Sequence, residues 1–105
     1  MEAHHRVEAR LCPRFKLDAN LKIHCGMELL SGYALDISES GISAMLPEVS
    51  MGEIVDLDFE LLLGPVSVRA VVHERNAFRY GFQFVQPNAA HEFIADACGS
   101  LPPCD

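Results

Sequence analysis

Arg10 and Arg14 stand four residues apart in the run Arg10-Leu11-Cys12-Pro13-Arg14. A second run, Asp36-Ile37-Ser38-Glu39-Ser40-Gly41, follows later in the chain. The two have complementary chemistry. An arginine guanidinium is flat, permanently charged and presents paired donors. It can bridge phosphate oxygens, grip O6 and N7 of a guanine, or stack on a base. An ionised aspartate only accepts, so Asp36 can take the N1–H and the exocyclic amine of a guanine. Ser38 adds a short hydroxyl, and Gly41 permits positive φ or close backbone approach. Each run alone has a plainer reading. RxxxR reads as two surface arginines, and DxSxxG reads as a turn closed by local side-chain bonds and glycine.

The charge distribution favours one local anion site. The chain carries a formal charge of −7, with eight Lys and Arg against fifteen Asp and Glu. That balance excludes general binding to DNA, RNA or an anionic membrane surface. Yet Arg6, Arg10, Arg14 and Lys16 all lie in the first sixteen positions. The acid comes later, in Asp56, Asp58 and Glu60. A basic leader on an acidic body fits an anionic small molecule, and equally a solvated tail.

The length of 105 residues is that of one domain. No leader peptide or membrane-spanning run is expected. Cys12, Cys25, Cys98 and Cys104 lack any CxxC spacing, so we expect reduced thiols and a cytoplasmic protein. His24, Cys25, His73 and Cys98 match no zinc spacing, and no metal site or cofactor is expected. Catalysis is not expected either. Cys12 sits beside two arginines, which lower a thiol pKa, but no Gly-rich phosphate loop surrounds it.

The elements that must position these residues are strands. Phe15, Leu17, Ala19, Leu21 and Ile23 alternate with polar neighbours, the period of a half-buried strand. Further strands are predicted over 29–37, with Gly32 marking a bulge, then 42–46, 55–61, 66–72 and 78–84. Glu74 to Ala77 reads as a turn, and Phe78, Tyr80, Phe82 and Phe84 as an aromatic core face. Asn88 is a predicted N-cap for a helix over 91–98, which Gly99 ends. Six short strands indicate an all-β sandwich or closed barrel. The domain plan is a flexible basic arm over 1–13, a barrel with a C-terminal helix over 14–99, and a tail over 100–105.

RxxxR before the first strand, DxSxxG after the second, and Gly81-Phe82-Gln83-Phe84 closing the last resemble the PilZ domain over roughly residues 8–86. The resemblance implies a six-stranded antiparallel β-barrel with a short C-terminal helix. It also implies a bacterial receptor for cyclic di-GMP, signalling to an unknown downstream protein partner. In that family the arginine arm wraps the nucleotide, and the DxSxxG turn holds a guanine edge. Carried over residue by residue, this implies ligand contacts at Arg10, Arg14, Asp36, Ser38 and Gly41. Two positions depart from the pattern: Ala9 stands where many members have a further arginine, and Ala44 where many have glycine. These departures bear on affinity and on whether one or two ligand molecules bind. Arg6 is placed to replace part of the missing charge. The alternative is a PilZ-fold interaction module that does not depend on the nucleotide. No spacing assigns His73, Arg75 or Arg79 to the site.

Overall fold

The computed structural model describes residues 13–47 and 49–104. Alternation of apolar and polar side chains carries the chain into six strands. They are β1 (Phe15–Cys25), β2 (Glu28–Ile37), β3 (Gly41–Met45), β4 (Ile54–Leu61), β5 (Gly64–Asn76) and β6 (Arg79–Phe84). All neighbours are antiparallel, in the closed order β1-β2-β3-β6-β5-β4. Closure leaves no strand edge exposed in a sheet this small. The inward set, including Leu21, Ile23, Ile37, Ile42, Leu57, Val72 and Phe82, forms one buried core. Among the described residues one helix, α1 (His91–Cys98), adds Ile94, Ala97 and Cys98 to that core.

Three features differ from the sequence reading, each for a local reason. Gly32 pairs regularly with Leu21 and makes no bulge. Its role is close approach, since a Cβ there would lie 2.9 Å from the Met45 carbonyl oxygen. Strand β5 continues to Asn76, so the hairpin turn falls at Ala77 and Phe78. Ala77 takes a φ of 59°, and Phe78 is left 61 % exposed while Tyr80, Phe82 and Phe84 stay buried. The helix is capped at Ala90 rather than Asn88. Asn88 lies two residues too early to cap it with its side chain, and contributes its carbonyl to the His91 N–H.

Register irregularities fall beside the two motifs. Between Ala34 and Asp36, β2 advances two residues while β3 advances one. This bulge lets Ala34 and Ile37 both enter the core and turns Asp36 to the outer face. A matching bulge at His73 separates Val72 from Glu74 on β5. The segment after α1, set apart as a tail by composition, lies along the start of β1. Lys16 N–H donates to the Pro102 carbonyl at 2.7 Å, and Cys104 N–H donates to the Arg14 carbonyl at 2.9 Å.

Candidate functional site

The bulged strand β2 places Asp36 opposite Lys16 of β1 and Ser43 of β3, and Ser43 in turn lies opposite Gly81 of β6. These residues make one row across four strands on the outside of the barrel. Asp36 is nevertheless 6 % exposed, because two arginines cover it. Arg14 Nε donates to Asp36 Oδ1 at 2.7 Å, and its Nη2 donates to Ser43 Oγ at 3.0 Å. Arg79 Nη2 donates to Asp36 Oδ2 at 2.8 Å. A carboxylate this far from water is tolerated only when paired and hydrogen-bonded, and both of its oxygens are.

The DxSxxG turn is built by its own serines. Ser38 N–H donates to the Gly41 carbonyl at 2.8 Å. Ser38 Oγ accepts from Ser40 N–H at 3.2 Å and lies 3.2 Å from Ser40 Oγ. Ser38 is fully buried, so in this state its hydroxyl shapes the turn. Gly41 does not take positive φ. It is required by proximity, since any Cβ would collide with the Phe82 carbonyl oxygen across the β3–β6 pair.

Arg14, Gly41, Ser43, His73, Arg75 and Arg79 line an open concavity of about 750 Å³. Its floor includes Tyr80, whose hydroxyl accepts from the Val49 N–H at 3.0 Å. Arg75 lies over the Tyr80 ring, 5.4 Å from its centroid. A concavity with guanidiniums on two sides and a masked carboxylate between them suits a flat, polyanionic ligand with a donor edge. Among the named site residues, the structure brings together Arg14, Asp36, Ser38 and Gly41. Arg10 lies outside the described residues.

A family model described as the PilZ domain matches residues 8–96, most of the chain. The chain belongs to the PilZ domain family. Solved structures agree on the fold of this PilZ domain. The PilZ domain of YcgR from Escherichia coli, solved with c-di-GMP, superposes with a TM-score of 0.74 at 14 % identity, covering 88 % of this chain and 90 % of that one. The PilZ domain of CeSA from a cellulose-synthesizing bacterium gives 0.64 at 18 % identity, over 79 % and 90 %. The Bacillus subtilis inhibitor of motility MotI/DgrA gives 0.69 at 17 % identity, over 85 % of this chain and 48 % of that one. A search of curated protein sequences found no match. The six-stranded closed antiparallel barrel with a short C-terminal helix, expected from the motifs, is the observed architecture.

His73, Arg75 and Arg79, which sequence spacing did not assign, all line the concavity. For Arg79 a signal was present. Tyr80, Phe82 and Phe84 face inward, so period two sends Arg79, Gly81 and Gln83 outward onto the motif face. His73 had no such signal, because its placement depends on the bulge. On another wall of the PilZ barrel, Asp58 accepts from Ser67 Oγ at 2.6 Å and lies 2.7 Å from His24 Nε2. The Ser67 hydroxyl and then His24 hold the Asp58 carboxyl below its usual value. The carboxylate stands between the other two, so His24 is no base for the Ser67 hydroxyl.

Proposed function

We propose that this PilZ domain is a receptor for cyclic di-GMP and works by binding, not catalysis. The observation that carries the reading is the Arg14–Asp36 pair, whose arginine lines the concavity and which brings a residue of RxxxR against a residue of DxSxxG. Arg14 would meet phosphate or the guanine face, and Asp36 would accept from the guanine edge. Gly41 lets the turn lie against β6, and Ser38 keeps it closed. The c-di-GMP held by YcgR, a protein of the same fold, supports the choice of ligand.

Signalling follows from a change of surface. The segment carrying Arg10 would close on the nucleotide held at Arg14, and a downstream protein would read the new face. Both motifs lie in this one domain, so no second domain is needed to complete the site. We place the protein in the bacterial cytoplasm, where cyclic di-GMP acts. Among the described residues, no helix is long and apolar enough to cross a membrane.

Isothermal titration of the full chain with cyclic di-GMP tests the proposal. Saturable binding with one or two molecules per chain is expected. Absence of any response at about 100 μM ligand, near 5 kcal/mol of binding free energy, would count against it.

A further inference from the structure

We infer that Arg79 sets the base specificity of this site: it covers Asp36 until a base with two adjacent donors takes its place, and then donates to the acceptor beside those donors. The inference rests on the nucleotide-binding reading and adds a residue that neither motif contains.

The carboxylate of Asp36 is divided between two guanidiniums. Oδ1 belongs to Arg14 and Oδ2 to Arg79, and the side chain is only 9 % exposed between them. An incoming base therefore cannot add to Asp36; it must exchange with one arginine. The two arginines are not equivalent. Arg14 is also held by Ser43 Oγ, and its backbone carbonyl accepts from Cys104. Arg79 is more than half exposed and starts β6 directly after the tight turn at Ala77 and Phe78. Gly81, two residues on along the same outer face, carries no side chain to fence it in. Arg79 is the arginine that yields, swinging into the concavity it already lines.

The exchange is selective because the displaced Arg79 stays beside the base edge that Asp36 takes, and its donors are charged. A guanine edge offers N1–H and the exocyclic N–H side by side. Together these can replace one guanidinium N–H on Oδ2 and use the remaining lone pair of Oδ1. An adenine edge offers one donor beside a bare ring nitrogen. It would lose the Arg79 bond and set a lone pair against the carboxylate. Breaking the Arg79–Asp36 pair costs every base the same and cancels between them; the displaced guanidinium discriminates, because it meets the O6 acceptor of guanine beside N1–H and the amino donor of adenine at the same place. Its charge also attracts the phosphates of all cyclic dinucleotides equally.

That equality fixes the test. Cyclic di-GMP and cyclic di-AMP carry the same two phosphates, so loss of the Arg79 charge cancels in the ratio of their dissociation constants. Both ligands are titrated into wild type, Arg79→Ala and Arg79→Met, the last keeping the aliphatic stem. Circular dichroism melts establish that each variant is folded. The preference for cyclic di-GMP should shrink about tenfold or more in both variants, the scale of one hydrogen bond to a charged group. A ratio within about twofold of wild type, or a larger preference, overturns the role of Arg79 and leaves the nucleotide reading standing. Failure of wild type to bind cyclic di-GMP overturns both.

Discussion

Arg14 and Asp36 are 22 residues apart in sequence and 2.7 Å apart from Nε to Oδ1. The first precedes β1 and the second nears the end of β2, so the hairpin between them folds one motif onto the other. The contact joins a fixed cation and an acceptor-only carboxylate in one surface. Replacing Arg14 by alanine should therefore weaken cyclic di-GMP binding by about 1–3 kcal/mol, the range of a bidentate base contact. It also uncovers Asp36 on one side, so the melting temperature should fall. Titration and thermal melts of the variant check both. An unchanged affinity would remove Arg14 from the site.

Much of this arrangement was legible before any coordinates. The alternation in Phe15–Ile23 and Val55–Leu61 fixed which faces are buried, because a strand has a period of two and no other element does. The bulges were not legible. Leu35 and His73 carry no composition that marks them, and the shifts arise from fitting six strands of unequal length into one closed barrel. The partnership of Arg79 with Asp36 also stayed hidden, since it joins β6 to β2 across β3. Phe78 misled for a simple reason: it continues an aromatic alternation, but a two-residue turn takes it out of the strand.

Gly41→Val should lose both fold stability and ligand binding. The cause is the missing space between β3 and β6, where a side chain would run into the Phe82 carbonyl. A backbone shift there costs about 1–3 kcal/mol on the scale of overpacked cores. Gly41→Ala already introduces the offending Cβ and should show most of the loss. Denaturant melts and cyclic di-GMP titration of the two variants decide it. A wild-type affinity in Gly41→Val would contradict the packing argument.

Removing residues 102–105 should leave the barrel folded and weaken the ligand several-fold. Pro102 accepts from the Lys16 backbone and Cys104 donates to the Arg14 carbonyl, outside the closed sheet. Their loss frees the root of the arginine arm, and Arg14 must then be ordered at the moment of binding, at the entropic cost of fixing a residue, about 1–2 kcal/mol. Comparison of melting temperature with dissociation constant separates the two effects. Unaltered binding would show that Arg14 is held without the C-terminal segment.

Cys98 should resist thiol reagents at neutral pH while the protein is folded, and react once it is unfolded. Burial, and then the nearby Glu39 charge, push its thiol from 9.0 up to about 11. A raised folded value means the neutral thiol is favoured in the native state. Its contribution to stability is complete below pH 9 and fades as pH rises toward 11. Mass spectrometry after timed alkylation, with melts across that alkaline window, provides the measurement. Rapid labelling of Cys98 at neutral pH in the folded chain would contradict its placement.

The most direct test of a single joined site is residue-resolved NMR during a cyclic di-GMP titration. The account predicts saturable shifts at the backbone amides of Arg14, Asp36, Ser38, Gly41 and Arg79. It predicts quiet amides at His24, Asp58 and Ser67, which lie on another wall. Shifts concentrated at His24, Asp58 and Ser67, with Asp36 and Arg14 unmoved, would contradict it.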